Sequence, residues 1–373
     1  MIKRHYNLKD LIQEQKVLVI YGPRRIGKTT LLSEFLSETK LKYKLDSGDN
    51  LRTQRILSSQ DFSLIKEYAA GYKLIAIDEA QQIPNIGMGL KILVDQIPGI
   101  IIIATGSSSF DLAQKIGEPL TGRKKTRILY PISQIELLQQ YNKFELKEKL
   151  EELLVFGSYP EVLTAETRLK KIEVLEEIAN SYLLKDVLAL ERIKDSKPLL
   201  DLLKLIAFQV GNEVSLNELA VQIKLNIRTV DRYLDILEKT FVIKRIYSFS
   251  RNLRKELMNK CKYYFYDNGI RNAVISQFND LADRNDIGAL WENYIVTERL
   301  KKQAYQPIYS NNYFWRTYDQ KEIDWVEERE GKLFGYEIKW GDKKKKEPKL
   351  WKETYDNAEF KVINQENYLD FVV

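Results

Sequence analysis

The chain of 373 residues has one cysteine and one histidine. A lone Cys261 excludes an internal disulfide. With His5 as the only imidazole, a zinc site built from histidine and cysteine is excluded as well. No apolar run approaches the ~18 residues that a membrane-spanning helix needs. The opening stretch, MIKRHYNLKD, has no apolar signal segment. Together these absences predict a cytoplasmic chain with no membrane partner. Hydrophobic residues make up 44%, enough for a core in each of the about two to three domains that this length suits.

Charge of one sign is in modest excess, +6 overall. The segment 228–262 alone holds ten Lys/Arg against four acids, and so accounts for the whole excess. A localised basic segment points to an anionic partner more strongly than an even basic bias does.

What the chain does have is a dense nucleotide signature. Val17–Tyr21 is an apolar run of the kind that forms a buried strand. Gly22-Pro23-Arg24-Arg25-Ile26-Gly27-Lys28-Thr29 then fits G-x-x-x-x-G-K-[ST], followed by Thr30 and by Leu31, Leu32 and Phe35 at helical spacing. The glycines let the backbone curl its N–H groups towards phosphates, and the helix N-terminus adds positive dipole there. Lys28 can reach the β- and γ-phosphates of ATP, and the Thr29 hydroxyl can ligate Mg²⁺. About 50 residues further on, Leu74–Ile77 reads as a strand ending in Asp78 and Glu79. Asp78 would hold Mg²⁺ from behind its direct ligands, and Glu79 would orient and deprotonate the attacking water. The alternative is an acidic pair that caps a helix. The strand Gly99–Ala104 ends in a Thr/Gly/Ser run, where Thr105 or Ser107 can sense the γ-phosphate or cap a helix starting near Asp111. Arg123, just before an expected strand Arg127–Tyr130, is the candidate arginine finger for a neighbouring subunit; Arg127 is its competitor.

GPRRIGKTTLL, LIAIDEAQ, IIATGSSS, LTGR and LYPIS, in this order and spacing, resemble the AAA+ ATPase half of bacterial and archaeal DUF4143-type ATPases. The resemblance implies a parallel-sheet core with a small helical lid. Phe156-Gly157-Ser158-Tyr159-Pro160-Glu161 resembles the family's lid motif, which implies that Pro160 lies close to the nucleotide base. It also implies ATP and Mg²⁺ as cofactors and a homo-oligomer, a ring or a dimer.

Beyond a helical stripe over 169–191, the stretch 199–246 reads as helix, helix, turn, helix, strand, with Ser215 and Glu218 spaced as a capping box. This is a helix-turn-helix of winged type. A DNA reader would place Arg228, Thr229 and Arg232 in the major groove, with Lys244 and Arg245 on phosphates; the other reading is a module that packs on protein. The aromatic run Tyr263–Tyr266 fits a core strand better than a base-stacking platform. Near the C-terminus, Glu322–Glu327 and Leu333–Trp340 alternate like strands. A hairpin with the loop Arg329–Lys332 sets Asp324 opposite Glu337, with Lys339 on the same face. This D…E-x-K arrangement is that of PD-(D/E)xK nucleases. There Asp324 and Glu337 would bind Mg²⁺, Lys339 would polarise a water, and Glu292 would assist from the preceding helix. Asp319 competes with Asp324 for the first acid, and a fold without cutting activity is the alternative reading.

The expected architecture is α/β. A P-loop AAA+ parallel sheet with a helical lid spans 1–165 and a helical connector 166–200. A winged helix-turn-helix follows at 201–278 and an α/β PD-(D/E)xK nuclease-like domain at 279–373. The expected partner is DNA, branched or damaged, with an ATP-driven protein switch as the rival.

Overall fold

The strand KVLVIY (β1, Lys16–Tyr21) is buried along all but its first residue, as its unbroken apolar run requires of a strand covered on both faces. In the computed structural model, which describes residues 2–107, 120–183, 197–249, 261–306, 308–317, 319–341 and 345–373, it joins four others. These are β2 (Tyr43–Ser47), β3 (Leu74–Asp78), β4 (Ile101–Gly106) and β5 (Lys124–Ile128). The sheet is parallel throughout, in the order β2-β3-β4-β1-β5. β4 lies between β1 and β3, pairing Ile20 with Thr105 and Ile77 with Ala104. Three neighbouring strand ends therefore bring together the loop after Tyr21, the Thr105 hydroxyl and the acids Asp78 and Glu79. That is the edge at which open α/β sheets bind ligands.

The expected strand over Arg127–Tyr130 lies earlier, at Lys124–Ile128, so Arg127 sits within β5. Leu129 still donates its N–H to Tyr21 O at 2.7 Å. The helix expected near Asp111 and the later part of the connector fall outside the described residues. Short helices over Lys143–Phe156 and Pro160–Glu177 form the lid.

The C-terminal half is built on a second, mixed sheet. Its strands are β6 (Glu213–Val214), β7 (Ile243–Ser248), β8 (Cys261–Phe265), β9 (Asn311–Arg316), β10 (Glu322–Arg329), β11 (Lys332–Ile338) and β12 (Glu359–Ile363). They lie in the order β12-β11-β10-β9-β7-β8-β6. The link is a short parallel pairing of β7 with β9, Tyr247 with Tyr313 and Ser248 with Phe314. One sheet thus runs across the expected boundary at 278/279. Helices Lys197–Phe208, Leu216–Gln222 and Ile227–Lys239 precede β7. Ser215 caps the second of them by accepting the Glu218 N–H, whereas the Glu218 carboxylate accepts from Gln222 rather than closing a capping box.

The hairpin register expected from the sequence holds, with Trp325 opposite Tyr336 and Arg329 opposite Lys332. Its loop is tighter than expected. Only Glu330 and Gly331 turn, both at positive φ (51° and 77°), as a two-residue hairpin of matching twist requires. The helix Ile287–Tyr305 runs between the two halves and is buried on most sides. Asn293 fixes it to the end of β8 by accepting from Phe265 N and donating to Phe265 O, at 2.7 and 2.9 Å.

Candidate functional site

The loop after β1 takes its shape from three residues at positive φ, Gly22, Arg25 and Gly27. A Cβ on Gly22 would lie 2.1 Å from Leu129 O, so only glycine lets the loop leave the sheet so close to the chain following β5. Gly27 caps the helix Lys28–Glu38 with no side-chain acceptor, which leaves the first N–H groups of that helix facing the cleft. The Lys28 ammonium is buried and donates to Gly22 O and Pro23 O at 2.9 and 2.7 Å. Arg24, Arg25, Gly27, Thr29, Thr30, Glu79, Pro160 and Glu161 line the cleft with it, about 390 Å³ in volume. Ile26 is fully buried beneath the loop.

Across the strand ends, Thr29 Oγ1 donates to Asp78 Oδ2 at 2.7 Å. Thr105 Oγ1 donates to the other oxygen, Asp78 Oδ1, and accepts from the Glu79 N–H at 3.2 Å. Glu79 holds a left-handed backbone, φ 50°, which turns its carboxylate out of the strand direction towards Gln81 Nε2. The opposing chain makes room with Gly48, where a Cβ would meet Glu79 O at 2.2 Å. Ser107 stands one step behind, accepting from Gln81 Nε2 at 3.1 Å. Of the two hydroxyls singled out in the sequence, Thr105 touches the acidic pair. Arg123 lies at the N-terminal end of edge strand β5, beside Val17, at the opposite end of the sheet from its own phosphate loop. Its Nε donates to Asp95 Oδ1 at 2.6 Å.

Several charged side chains, most of them buried, tie this cleft to the rest of the molecule. Arg4 donates to Ile26 O (2.6 Å), Tyr130 O (2.6 Å) and Glu136 Oε1 (2.7 Å), and reaches the Tyr305 hydroxyl at 3.3 Å. Arg25 donates to Glu161 and Glu177 on the lid helices. On the lid turn, Ser158 N donates to Asp267 Oδ2 at 2.7 Å, and Lys301 donates to Ser158 Oγ, Ile132 O and Glu298 Oε1. Burial pushes the Asp267 and Glu298 carboxyls up, opposed in each case by Lys301. Glu298 and Lys301, three apart and both buried on the helix Ile287–Tyr305, carry no mark in the sequence that sets them apart from its other charged residues.

The residues expected to meet DNA divide. Arg228 and Arg232 are carried on the helix Ile227–Lys239, Arg228 and Arg232 both at least partly open to solvent, while Thr229 turns back to hydrogen-bond the capping Asn226. Lys244 and Arg245 are each paired with acids of the helix Ile227–Lys239. Lys244 pairs with Glu238 at 2.6 Å, and the mostly buried Arg245 lies between Asp231 and Asp235, at 3.1 and 3.0 Å. Arg251, Arg254, Lys255 and Lys260 lie outside the described residues.

In the C-terminal half, Asp324, Glu337 and Lys339 do converge. Lys339 Nζ is 3.4 Å from Asp324 and 2.7 Å from Glu337. Asp324 also accepts the Ile338 N–H at 2.8 Å, and Lys345 pairs with Glu337. Glu292 is joined to this set through Lys262, which lies 3.2 Å from it. Asp319 stands on the exposed turn before β10. Among the described residues, no three His, Cys, Asp or Glu side chains form a group able to hold a metal ion.

Three family models match this chain: an AAA domain over residues 14–138, a domain of unknown function (DUF8612) over 147–281 and a domain of unknown function (DUF4143) over 287–368. An uncharacterized protein of Mycobacterium tuberculosis is 27% identical over 89% of this chain and 72% of its own length. One from Haemophilus influenzae is 27% identical over 87% and 84%, and one from Methanocaldococcus jannaschii 26% over 83% and 72%. Among solved structures, a Thermotoga maritima RuvB, a Holliday junction branch migration motor, overlaps 62% of this chain and 82% of its own at 20% identity and a TM-score of 0.28. None of the helices among the described residues is long and apolar enough to cross a membrane.

Proposed function

We propose that this chain, an AAA protein of the DUF4143 type, binds ATP with Mg²⁺ across Gly22–Thr30 and hydrolyses it. The observation that carries this is the 2.7 Å contact of Thr29 with Asp78 at the mouth of the phosphate loop. It joins the two side chains that such a site needs for its metal. Thr29 and Asp78 would hold Mg²⁺, which when bound supplies positive charge to the β- and γ-phosphate oxygens. Lys28 turns its ammonium from the loop carbonyls to the phosphates. Glu79 accepts a proton from the water that attacks the γ-phosphorus. The bond to the β–γ bridging oxygen breaks, and ADP leaves with that electron pair. Thr105 holds Asp78 and the Glu79 backbone in register for this step, and Pro160 closes the lid side of the cleft.

Lys28→Ala and Glu79→Gln test the reading. Lys28→Ala is expected to lose nucleotide binding. Glu79→Gln should bind ATP and turn it over about 10²–10⁴-fold more slowly. Unchanged ATP affinity in Lys28→Ala would overturn it.

The partner on which this cycle acts is, in this reading, DNA. The helices 197–239 with β6, β7 and β8 are read as a winged helix that presents Arg228 and Arg232. A second reading, an ATP-driven switch that binds protein, draws on one observation. Val221 and Ile227, on the two helices that flank the same turn, are 78% and 46% exposed, while Lys244 and Arg245 are already paired with acids of the second of these helices. Salt-dependent DNA affinity separates the two. Arg228→Ala with Arg232→Ala should weaken DNA binding and relax its base preference, as the loss of two base-contacting arginines does. Unchanged DNA affinity leaves the protein switch.

A further inference from the structure

The C-terminal carboxylates that resemble a nuclease metal site surround an ammonium of the chain itself. Lys262 belongs to β8, is 1% exposed, and points into the face formed by the helix Ile287–Tyr305 and β10. Its Nζ is 3.2 Å from Glu292 and 4.0 Å from Asp324, and it pairs with Glu322. Tyr264, two residues along the same strand, donates its hydroxyl to Glu292 Oε1 at 2.8 Å. The Phe314 ring lies 5.4 Å from the ammonium and closes one side.

The other acids have cations of their own. Asp324 has Lys339, and Glu337 has Lys339 and Lys345. The only buried carboxylate oxygen without a hydrogen-bond partner among the described residues is Glu337 Oε2, and a single oxygen is no chelate. A divalent ion set among these carboxylates would stand beside a buried ammonium that cannot swing into water. The donor set therefore does not fit the divalent ion that a PD-(D/E)xK site requires.

We infer that Lys262 is the resident cation of this cluster. The face is a charge-matched tie that binds β8 to the helix Ile287–Tyr305 and β10, in place of a centre for metal-dependent cutting. Sequence-adjacent Cys261 and Tyr263 take no part, since their side chains point to the other face of the strand and contact each other.

The test is a Mn²⁺ titration of nucleotide-free, full-length protein, followed by electron paramagnetic resonance. The wild-type chain is expected to show no saturable site. Lys262→Met, which keeps the length and removes the charge, should tighten Mn²⁺ binding by at least about a hundredfold through the lost like-charge repulsion. Adding Glu292→Gln and Asp324→Asn to Lys262→Met should abolish that gain. Stoichiometric Mn²⁺ binding by the wild-type chain that disappears in Asp324→Asn would overturn the inference, as would a folded Lys262→Met no better at binding than wild type. If Lys262→Met does not fold, the wild-type titration is sufficient. Absence of a saturable site upholds the inference, and binding that is lost in Asp324→Asn overturns it.

Discussion

The buried carboxylate of Asp267 accepts the backbone N–H of Ser158 at 2.7 Å, so a residue beyond β8 closes the turn that walls the nucleotide cleft. The fit is close. A Cβ at Gly157, whose φ is 71°, would lie 2.0 Å from Asp267 Oδ1. A Cβ at Gly269 would lie 2.1 Å from Phe156 O. The lid motif Phe156–Pro160 and the turn Asp267–Gly269 are therefore one interlocked unit. Its shape explains why both stretches stand out in the sequence, although 109 residues separate the hydrogen-bonded pair.

Removing the carboxylate tests the interlock. Asp267→Ala leaves the Ser158 and Ile270 N–H groups without their acceptor and leaves Lys301 with Glu298 as its carboxylate partner. The expected loss is about 2–4 kcal/mol of unfolding free energy, measured by urea denaturation. Because the same turn carries Pro160, the variant should also bind ATP more weakly, while Asp267→Asn retains most of the stability. An Asp267→Ala protein with unchanged ATP affinity would mean that the lid holds its shape independently of the C-terminal half.

The cleft is legible in the sequence because its parts are local. A phosphate loop needs glycines, a lysine and a hydroxyl within about eight residues, and the strand that carries Asp78 announces itself as an apolar run. The hairpin register is legible for the same reason, since two alternating strands joined by a tight turn pair residue by residue outward from that turn. The residues that bind the halves together are not legible. Arg4 meets Glu136 and Tyr305 across 132 and 301 residues, and nothing in MIKRHYN marks it as buried. Lys262 and Arg245 add to the charge of a basic segment as though both faced solvent. Their partners, Glu292 and Asp231 with Asp235, lie on helices that fold back over the strands. Composition gives the sum of charges in a segment, but only packing decides which of them face water.

Glu292 provides a pH test of the buried cluster. Burial pushes its carboxyl up to about 7 from an ordinary value of 4.5, against the pull of Lys262. The folded chain thus holds the proton more tightly than the unfolded chain does. This contribution to stability is full below about 4.5 and is lost as the pH rises through about 7. Stability of wild type relative to Glu292→Gln should therefore fall across this window and level off above it. A relative stability that rises over the same window would mean that the ammonium of Lys262 outweighs burial.

Arg123 sits at the N-terminal end of an edge strand, held by Asp95 at 2.6 Å and far from its own phosphate loop, so its proposed role as a finger requires a neighbouring copy. Two defects should then complement each other. Arg123→Ala subunits keep an intact phosphate loop but offer no finger. Lys28→Ala subunits offer the finger but bind no ATP. Each alone should lose ATPase activity, with Arg123→Ala about 10³-fold down at unchanged ATP affinity. An equal, random mixture pairs half of the intact sites with a finger-bearing neighbour, and half of all subunits have intact sites. Turnover should then recover to about a quarter of wild type in any closed head-to-tail assembly. Activity in the mixture no greater than the sum of the separate variants, with mixed assemblies verified by two affinity tags, would assign Arg123 to its pair with Asp95 and leave Arg127 as the arginine to test next.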